Sequence, residues 1–169
     1  VDSSINTDRD IPTIEADNKG MGAALAKEIK KDIQESQQIV VISNNESRNS
    51  IIERKEGFEE AFGKENIVYW YLPNTDIDTI SEKIANSKED IIVALDSITL
   101  ENVAAALSEE GSHIKLYGLG NTNNIAVYLD GGIIDKIVFQ NEFNMGYLAI
   151  SKLADASSYT DKELEKLIG

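Results

Sequence analysis

Short apolar segments alternate with longer amphipathic ones along this chain, and that alternation limits the possible folds more than any other feature. Six segments rich in Ile, Val and aromatic residues are predicted to be strands, at 11–16, 38–43, 67–72, 91–95, 114–117 and 134–139. Five segments between them are predicted to be helices, at 18–35, 48–62, 77–86, 100–109 and 123–129. Such alternation is typical of parallel sheets with right-handed helical crossovers. We therefore predict an α/β fold with a doubly wound parallel sheet of about six strands flanked by helices.

The first predicted helix shows the packing that this fold requires. Met21, Leu25, Ile29 and Ile33 recur every four residues, with charged residues largely outside that stripe. One apolar face of the helix is therefore expected to pack on a sheet. With 169 residues, the chain is long enough to bury a core in one domain.

Composition excludes several classes of function. The formal net charge of −14 argues against nucleic acid as a partner, because no basic stripe exists to neutralise phosphates. The chain has no cysteine and no spaced calcium-binding loop, so neither a metal nor a cofactor is predicted. No run of about 18 apolar residues occurs, so no membrane insertion is expected.

Ligands of parallel α/β sheets bind beyond the carboxyl ends of the strands. The segments expected there are 43–49, 72–77, 96–98, 118–124 and 140–142. The first holds seven polar side chains, which either form a solvated turn that caps a helix through Ser47 or Asn49, or bind sugar hydroxyls. Residues 121–124 likewise either cap the next helix or bind a neutral solute.

Catalysis is not predicted. The only histidine, His113, precedes a strand and so lies at the edge of the sheet opposite the ligand, which leaves no Ser-His-Asp set. Residues 118–123 lack the third glycine of a dinucleotide-binding turn. Glu59 and Glu60 are expected on a solvated helix exterior. Trp70 is expected to cover the sheet or its edge.

Several segments together resemble the type 1 periplasmic binding proteins, the sugar-binding subunits of ABC importers and their relatives. They are RKEGFEEAF, IIVALDSITLENVAAALSEEG and the stretch IKLYGLGNTNNIAVYLDGGIIDKIVFQNEFNMGYLAISKL at 114–153. The first segment, VDSSINTDRDIPTIEADNKGMGAALAKEI, resembles the midpoint of a family member. The resemblance implies a C-terminal ligand-binding lobe at 1–139, which the chain enters across a hinge at 1–17. Residues 140–155 would return across the hinge with a helix of the other lobe, and 156–169 would form a terminal helix.

The resemblance also assigns roles to residues. Gln140 matches a position whose polar group suits a sugar hydroxyl, whereas Arg54, three residues before Gly57, matches a structural arginine. Family contacts are missing at Ile52, where several sugar binders carry an arginine, and in the turn around Ile77, where an aromatic residue is frequent. The candidate ligand-binding residues are Asn45, Asn49, Ile77, Asp96, Asn121 and Gln140. We expect Asn45, Asp96, Asn121 and Gln140 to converge in one cleft.

The predicted function is that of a solute-binding protein for a sugar or similar small polar solute, working with a membrane permease or a sensor protein. The resemblance implies a location outside the cytoplasm, in the periplasm or at the cell surface, with or without a lipid anchor upstream. The leading alternative is the effector-binding domain of a lac-repressor-like transcription regulator. A Rossmann-like enzyme is less favoured, because neither a cofactor fingerprint nor a general base lies at the strand ends.

Overall fold

The computed structural model describes residues 16–34, 37–73, 76–110 and 113–141. Helices and strands alternate along them, except at a short 3₁₀ helix, Lys64–Asn66. In chain order the elements are α1 Asn18–Lys30, β1 Ile39–Ser43, α2 Asn49–Phe62, β2 Ile67–Tyr71, α3 Ile77–Ala85, β3 Ile91–Ala94, α4 Ser97–Glu110, β4 Lys115–Leu119, α5 Asn123–Asp130 and β5 Lys136–Val138.

All strand pairs within the described residues are parallel, and the sheet order is β2-β1-β3-β4-β5. The prediction of a parallel α/β sheet is confirmed. Five strands are described; the strand predicted at 11–16 lies outside the described residues except for Ala16. Of the segment predicted at 140–155 only residues 140 and 141 are described, and the segment predicted at 156–169 lies outside the described residues.

Successive side chains of β1 point alternately into two separate apolar cores. Ile39 and Val41 pack with α1 and α2 on one face, whereas Val40 and Ile42 join α3, α4 and α5 on the other. Each of these four side chains is almost completely buried, which stabilises the fold by about 1.5–3 kcal/mol per side chain. Because helices cover both faces, the central strands are continuous apolar runs, as IIVAL predicts.

Two glycines allow α1 and α2 to approach each other closely. A Cβ atom on Gly57 would lie 1.9 Å from the carbonyl oxygen of Lys19, and one on Gly22 would lie 2.0 Å from that of Arg54. Next to Gly57, Phe58 is buried and stacks on Phe62 with ring centres 5.4 Å apart. The Gly-Phe pair in RKEGF therefore packs α2 against α1.

Two helix boundaries differ from prediction by three or more residues. The first helix ends at Lys30 instead of residue 35, with Lys31 as its C-cap. The fourth begins at Ser97 instead of residue 100, because the Asp96 carboxylate caps its first turn. Among the described residues, no helix has the length and apolar character needed to cross a membrane.

Candidate functional site

The predicted site residues all follow carboxyl ends of strands. Across the sheet their order is Ile77 after β2, Asn45 and Asn49 after β1, Asp96 after β3, Asn121 after β4 and Gln140 after β5. They therefore share one edge of the sheet, which we call the carboxyl edge. Only some of them meet in space.

A small polar crevice lies at the β3-β4-β5 part of the carboxyl edge, and it brings Asn121 and Gln140 together. Its volume is about 30 Å³, enough for water molecules but far below that of a site enclosing a small organic ligand, about 300–1,000 Å³. The Gln140 Oε1 atom is buried. The described residues that line the crevice are Met21, Arg54, Ser97, Leu119, Gly120, Asn121, Phe139 and Gln140.

Gly120 makes room for this crevice. A Cβ atom there would lie 2.5 Å from Ile125 Cδ1, 2.7 Å from Ser97 Oγ and 3.1 Å from Ser97 Cα. The turn after β4 can therefore lie against the first residue of α4 only if residue 120 has no side chain. Ser97 and Asn121, on either side of Gly120 in this contact, both line the same crevice.

Arg54 reaches the crevice from α2 and has structural contacts there. Its Nε donates to Asn18 Oδ1 at 2.8 Å, and its Nη1 donates to the carbonyl oxygen of Leu95 at 3.2 Å. Asn18 in turn donates from Nδ2 to Glu53 Oε2 at 3.1 Å. These bonds tie α2 to the start of α1 and to the end of β3, as expected of a structural arginine. The sequence did not indicate that the same side chain also lines the crevice.

Asp96 caps α4 with both carboxylate oxygens. It accepts from the Thr99 N–H at 2.9 Å and from the Thr99 hydroxyl at 2.7 Å, and both residues are buried. Asp96 does not line the crevice. Its contacts are those of a helix N-cap, and its predicted ligand-binding role stays a prediction.

The three remaining candidates lie elsewhere on the carboxyl edge. Asn45 Oδ1 accepts from the N–H groups of Ser47 and Arg48 and from the Ser47 hydroxyl, which is an Asx-type turn before α2. Asn49 is exposed at the first position of α2, and Ile77 packs partly against the core at the start of α3. None of the three lines the crevice, so the expected convergence holds for Asn121 and Gln140 alone.

Met21, Ser97 and Phe139 line the crevice but were not among the predicted ligand-binding residues, although Ser97 lies in the segment 96–98 that was expected at this edge. Phe139 is 55% exposed and lines both the crevice and an adjoining groove of about 310 Å³ between α1 and the end of β5. An aromatic residue at the last position of an apolar run looks like core in a sequence. Its place immediately before Gln140, at a strand end, was the available signal.

The expectation that Glu59 is solvated is wrong. Glu59 is 8% exposed and accepts hydrogen bonds from Tyr69 and from Lys64 Nζ, at 2.5 Å and 2.6 Å. Burial alone would raise the pKa of this carboxyl, but the bonds from Lys64 and Tyr69 outweigh it and lower the pKa. Burial and the Glu59 contact raise the pKa of Tyr69. Trp70 is buried on the edge strand β2, as expected.

No group of three or more His, Cys, Asp or Glu side chains within the described residues could hold a metal ion. His113 is exposed, and its Nε2 atom lies 3.4 Å from Asp90 Oδ1. Both residues are at the opposite edge of the sheet from the crevice. The crevice itself offers amide, hydroxyl and guanidinium groups, which form hydrogen bonds but supply no nucleophile with a base.

A family model described as "Periplasmic binding protein domain" matches residues 1–160. No curated protein matches the chain. Three similar solved structures have the same fold. A glucose-galactose binding protein, GanP, from Geobacillus stearothermophilus superposes with a TM-score of 0.77 at 18% identity over 92% of this chain and 59% of that one.

A sugar transporter from Clostridium phytofermentans gives a TM-score of 0.77 at 22% identity, over 95% of this chain and 62% of that one. An ABC transporter solute-binding protein from Agrobacterium vitis with bound D-fucose gives a TM-score of 0.73 at 19% identity, over 84% of this chain and 52% of that one. The present chain therefore spans between about half and two thirds of the length of these structures. At these identities the likeness establishes a shared fold.

Proposed function

Because the chain belongs to the periplasmic binding protein domain family, we propose that it is the C-terminal lobe of a solute-binding protein for a sugar or similar small polar solute. In this proposal residues 1–139 form the lobe, and residues 140–155 return across a hinge. The family is one of binding proteins, and no catalysis is assigned. The protein would work outside the cytoplasm and deliver its solute to the membrane permease of an ABC importer or to a sensor protein.

The crevice at the carboxyl edge carries this proposal. Asn121 presents an amide that can donate to one sugar hydroxyl and accept from another, Gln140 adds an amide whose NH₂ group can donate, and Ser97 adds a hydroxyl. Arg54 is the only charged residue among the described residues that line it. The absence of a carboxylate from that lining favours a neutral or anionic solute over a cationic one, because a cation would face a guanidinium without a counter-charge.

The small size of the crevice supports a site completed from a second side. A volume of about 30 Å³ cannot enclose a sugar ring, so a solute on this edge contacts the lobe with one face only. A second lobe closing over it would supply the remaining contacts. The solute would then favour the closed form because it binds that form better, and a permease or sensor would recognise the closed shape.

Side-chain amide signals in ¹H–¹⁵N NMR spectra test the proposal on the chain itself. We expect titration with a panel of neutral pentoses, hexoses and deoxyhexoses to shift the NH₂ signals of Asn121 and Gln140. Asn86 is the internal control, because it lies at the opposite edge of the sheet and donates to the Glu82 carbonyl oxygen. A panel without any effect at Asn121 and Gln140, or shifts spread equally to Asn86, would contradict the proposal.

A further inference from the structure

The edge strand β2 lacks the usual protection of a sheet edge. Within the described residues it pairs with β1 alone. Its sequence, IVYWY, contains neither a charged residue nor proline, the two residue types that most often block an edge. Tyr69 and Tyr71 are 37% and 50% exposed. In the part of the chain that the structure describes, the outer hydrogen-bonding edge of this strand therefore has no partner strand.

The register of β2 fixes which of its backbone groups face outward. The Leu72 N–H donates to the Ser43 carbonyl oxygen at 2.9 Å, so residue 72 faces β1. Because backbone groups of successive residues point to opposite sides of a strand, Tyr71 and Tyr69 direct their N–H and C=O groups away from β1. Ile67 also faces outward, but its N–H already donates to the Lys64 carbonyl oxygen. The outward edge thus offers two complete donor-acceptor residues, Tyr69 and Tyr71.

Two such residues, separated by one position, can form hydrogen bonds with the same two residues of a second copy. When two β2 strands run antiparallel about a two-fold axis at Trp70, Tyr69 of each copy lies opposite Tyr71 of the other. Each of these two pairs exchanges two N–H···O=C bonds, so four backbone hydrogen bonds form and no outward group of Tyr69 or Tyr71 is left over. The aromatic rings of each pair then lie on the same face of the joined sheet, where cross-strand aromatic pairs are stabilising.

The side chains beside β2 are already held in place and carry both signs of charge. Tyr69 donates to Glu59, and Lys55 Nζ lies 4.2 Å from the centre of its ring. On the other face of the sheet, Lys83 Nζ lies 5.2 Å from the centre of the Trp70 ring. A rigid tyrosine loses little conformational freedom on binding, which is why tyrosine is frequent at interfaces.

A groove of about 420 Å³ on α2 carries charges of both signs and includes Glu59 and Lys55, which contact Tyr69 of the strand. It contains lysines as well as glutamates, so a second copy approaching here meets both signs although the chain as a whole carries −14. Its exposed Ile52 adds apolar surface. The lining residues are Ser43, Glu46, Ile51, Ile52, Lys55, Glu56, Glu59 and Lys64.

We propose that β2 of one chain pairs antiparallel with β2 of a second copy about Trp70, which joins two sheets into one continuous sheet. This interface does not include the residues that line the crevice and is independent of the proposed function. It leaves the crevice accessible in both copies.

Sedimentation velocity over about 10 µM to 1 mM protein tests the association. We expect a concentration-dependent dimer. Tyr71→Pro should raise its dissociation constant at least about tenfold, because each copy loses one outward N–H while the bonds to β1 remain. Tyr71→Lys should act similarly by placing like charges across the axis. Val127→Lys, with the same added charge at an exposed site on α5, is the matched control and should dimerise as the parent does.

Disulfide trapping tests the register, because the chain contains no cysteine of its own. Directly opposed residues have Cα atoms about 5.5 Å apart, within bonding range. An oxidised mixture of the Tyr69→Cys and Tyr71→Cys variants should form a covalent heterodimer. Each variant alone should not cross-link, since its two cysteines would lie diagonally, more than about 7 Å apart. A parent that stays monomeric throughout, a dimer that survives Tyr71→Pro, or equal cross-linking of single variants would overturn the proposal.

Discussion

Arg54 shows how one side chain can support a site without being its main ligand contact. Its bonds to Asn18 and to the Leu95 carbonyl oxygen join two helices and a strand end beside the crevice. We expect Arg54→Ala to lower the free energy of unfolding by about 1–3 kcal/mol, since two partly buried acceptors lose a charged donor. Arg48→Ala, at the exposed N-cap of the same helix, where the side chain makes no capping hydrogen bond, should change it by less than about 0.5 kcal/mol. Urea unfolding of both variants measures the difference.

Asp96 and Asp76 offer a matched pair of helix caps in different surroundings. Asp76 accepts from the Thr79 N–H and hydroxyl at 2.8 Å and 3.0 Å in an exposed turn, much as buried Asp96 does from Thr99. Alanine at position 96 should cost about 1–2 kcal/mol of stability and more than alanine at position 76, because buried donors are then left without an acceptor. Thermal melts provide the comparison. If Asp96→Ala were as stable as the parent but no longer bound solute, Asp96 would be a ligand-binding residue and not only a helix cap.

At the scale of elements, the buried Glu59 joins α2 to the edge strand β2 through Tyr69. Because the pKa of Glu59 is lowered in the folded chain, its stabilising contribution is present above the unfolded value near 4.5 and is lost as pH falls through the folded pKa. We expect the parent to lose more stability than Glu59→Gln as the pH falls from about 6 to about 3, as measured by urea unfolding. Glu60→Gln, an exposed neighbour paired with Lys19 at 2.7 Å, should follow the parent.

The helices and strands of this fold were predictable where the spacing of apolar residues along the sequence indicates which side chains are buried. The continuous apolar run at β3 and the four-residue spacing on α1 indicated strand, helix and sheet type correctly. Glu59 was misplaced because its charge indicates solvent, whereas partners from β2 and from the 3₁₀ helix make burial tolerable. Those partners come into contact with Glu59 only once the fold exists, so no local pattern reveals them.

The candidate site was predictable in position and only partly in membership. Parallel topology alone places every strand end at one edge, which located Asn121 and Gln140 correctly beside each other. Asn45 and Asp96 form local turn and cap hydrogen bonds and do not line that crevice. The sequences around Asn45 and Asp96 suit an Asx turn and an N-cap as well as they suit a ligand, and spacing cannot separate these uses.

For the molecule as a whole, Gln140 is the point at which a change should affect binding without affecting the fold. It follows the last described strand and lines the crevice, outside both apolar cores. In the proposed two-lobed protein, Gln140→Ala should weaken solute binding by about 1–2 kcal/mol, roughly five- to thirtyfold, with little change in Tm. Asn124→Ala is the control on the same edge, because its amide already donates to Glu101 at 2.9 Å. Calorimetric titration with the best sugar of the panel measures affinity, and thermal melts measure stability. Equal loss of affinity in both variants would place the solute away from the crevice, while a large fall in the Tm of Gln140→Ala would make this residue part of the lobe's structure.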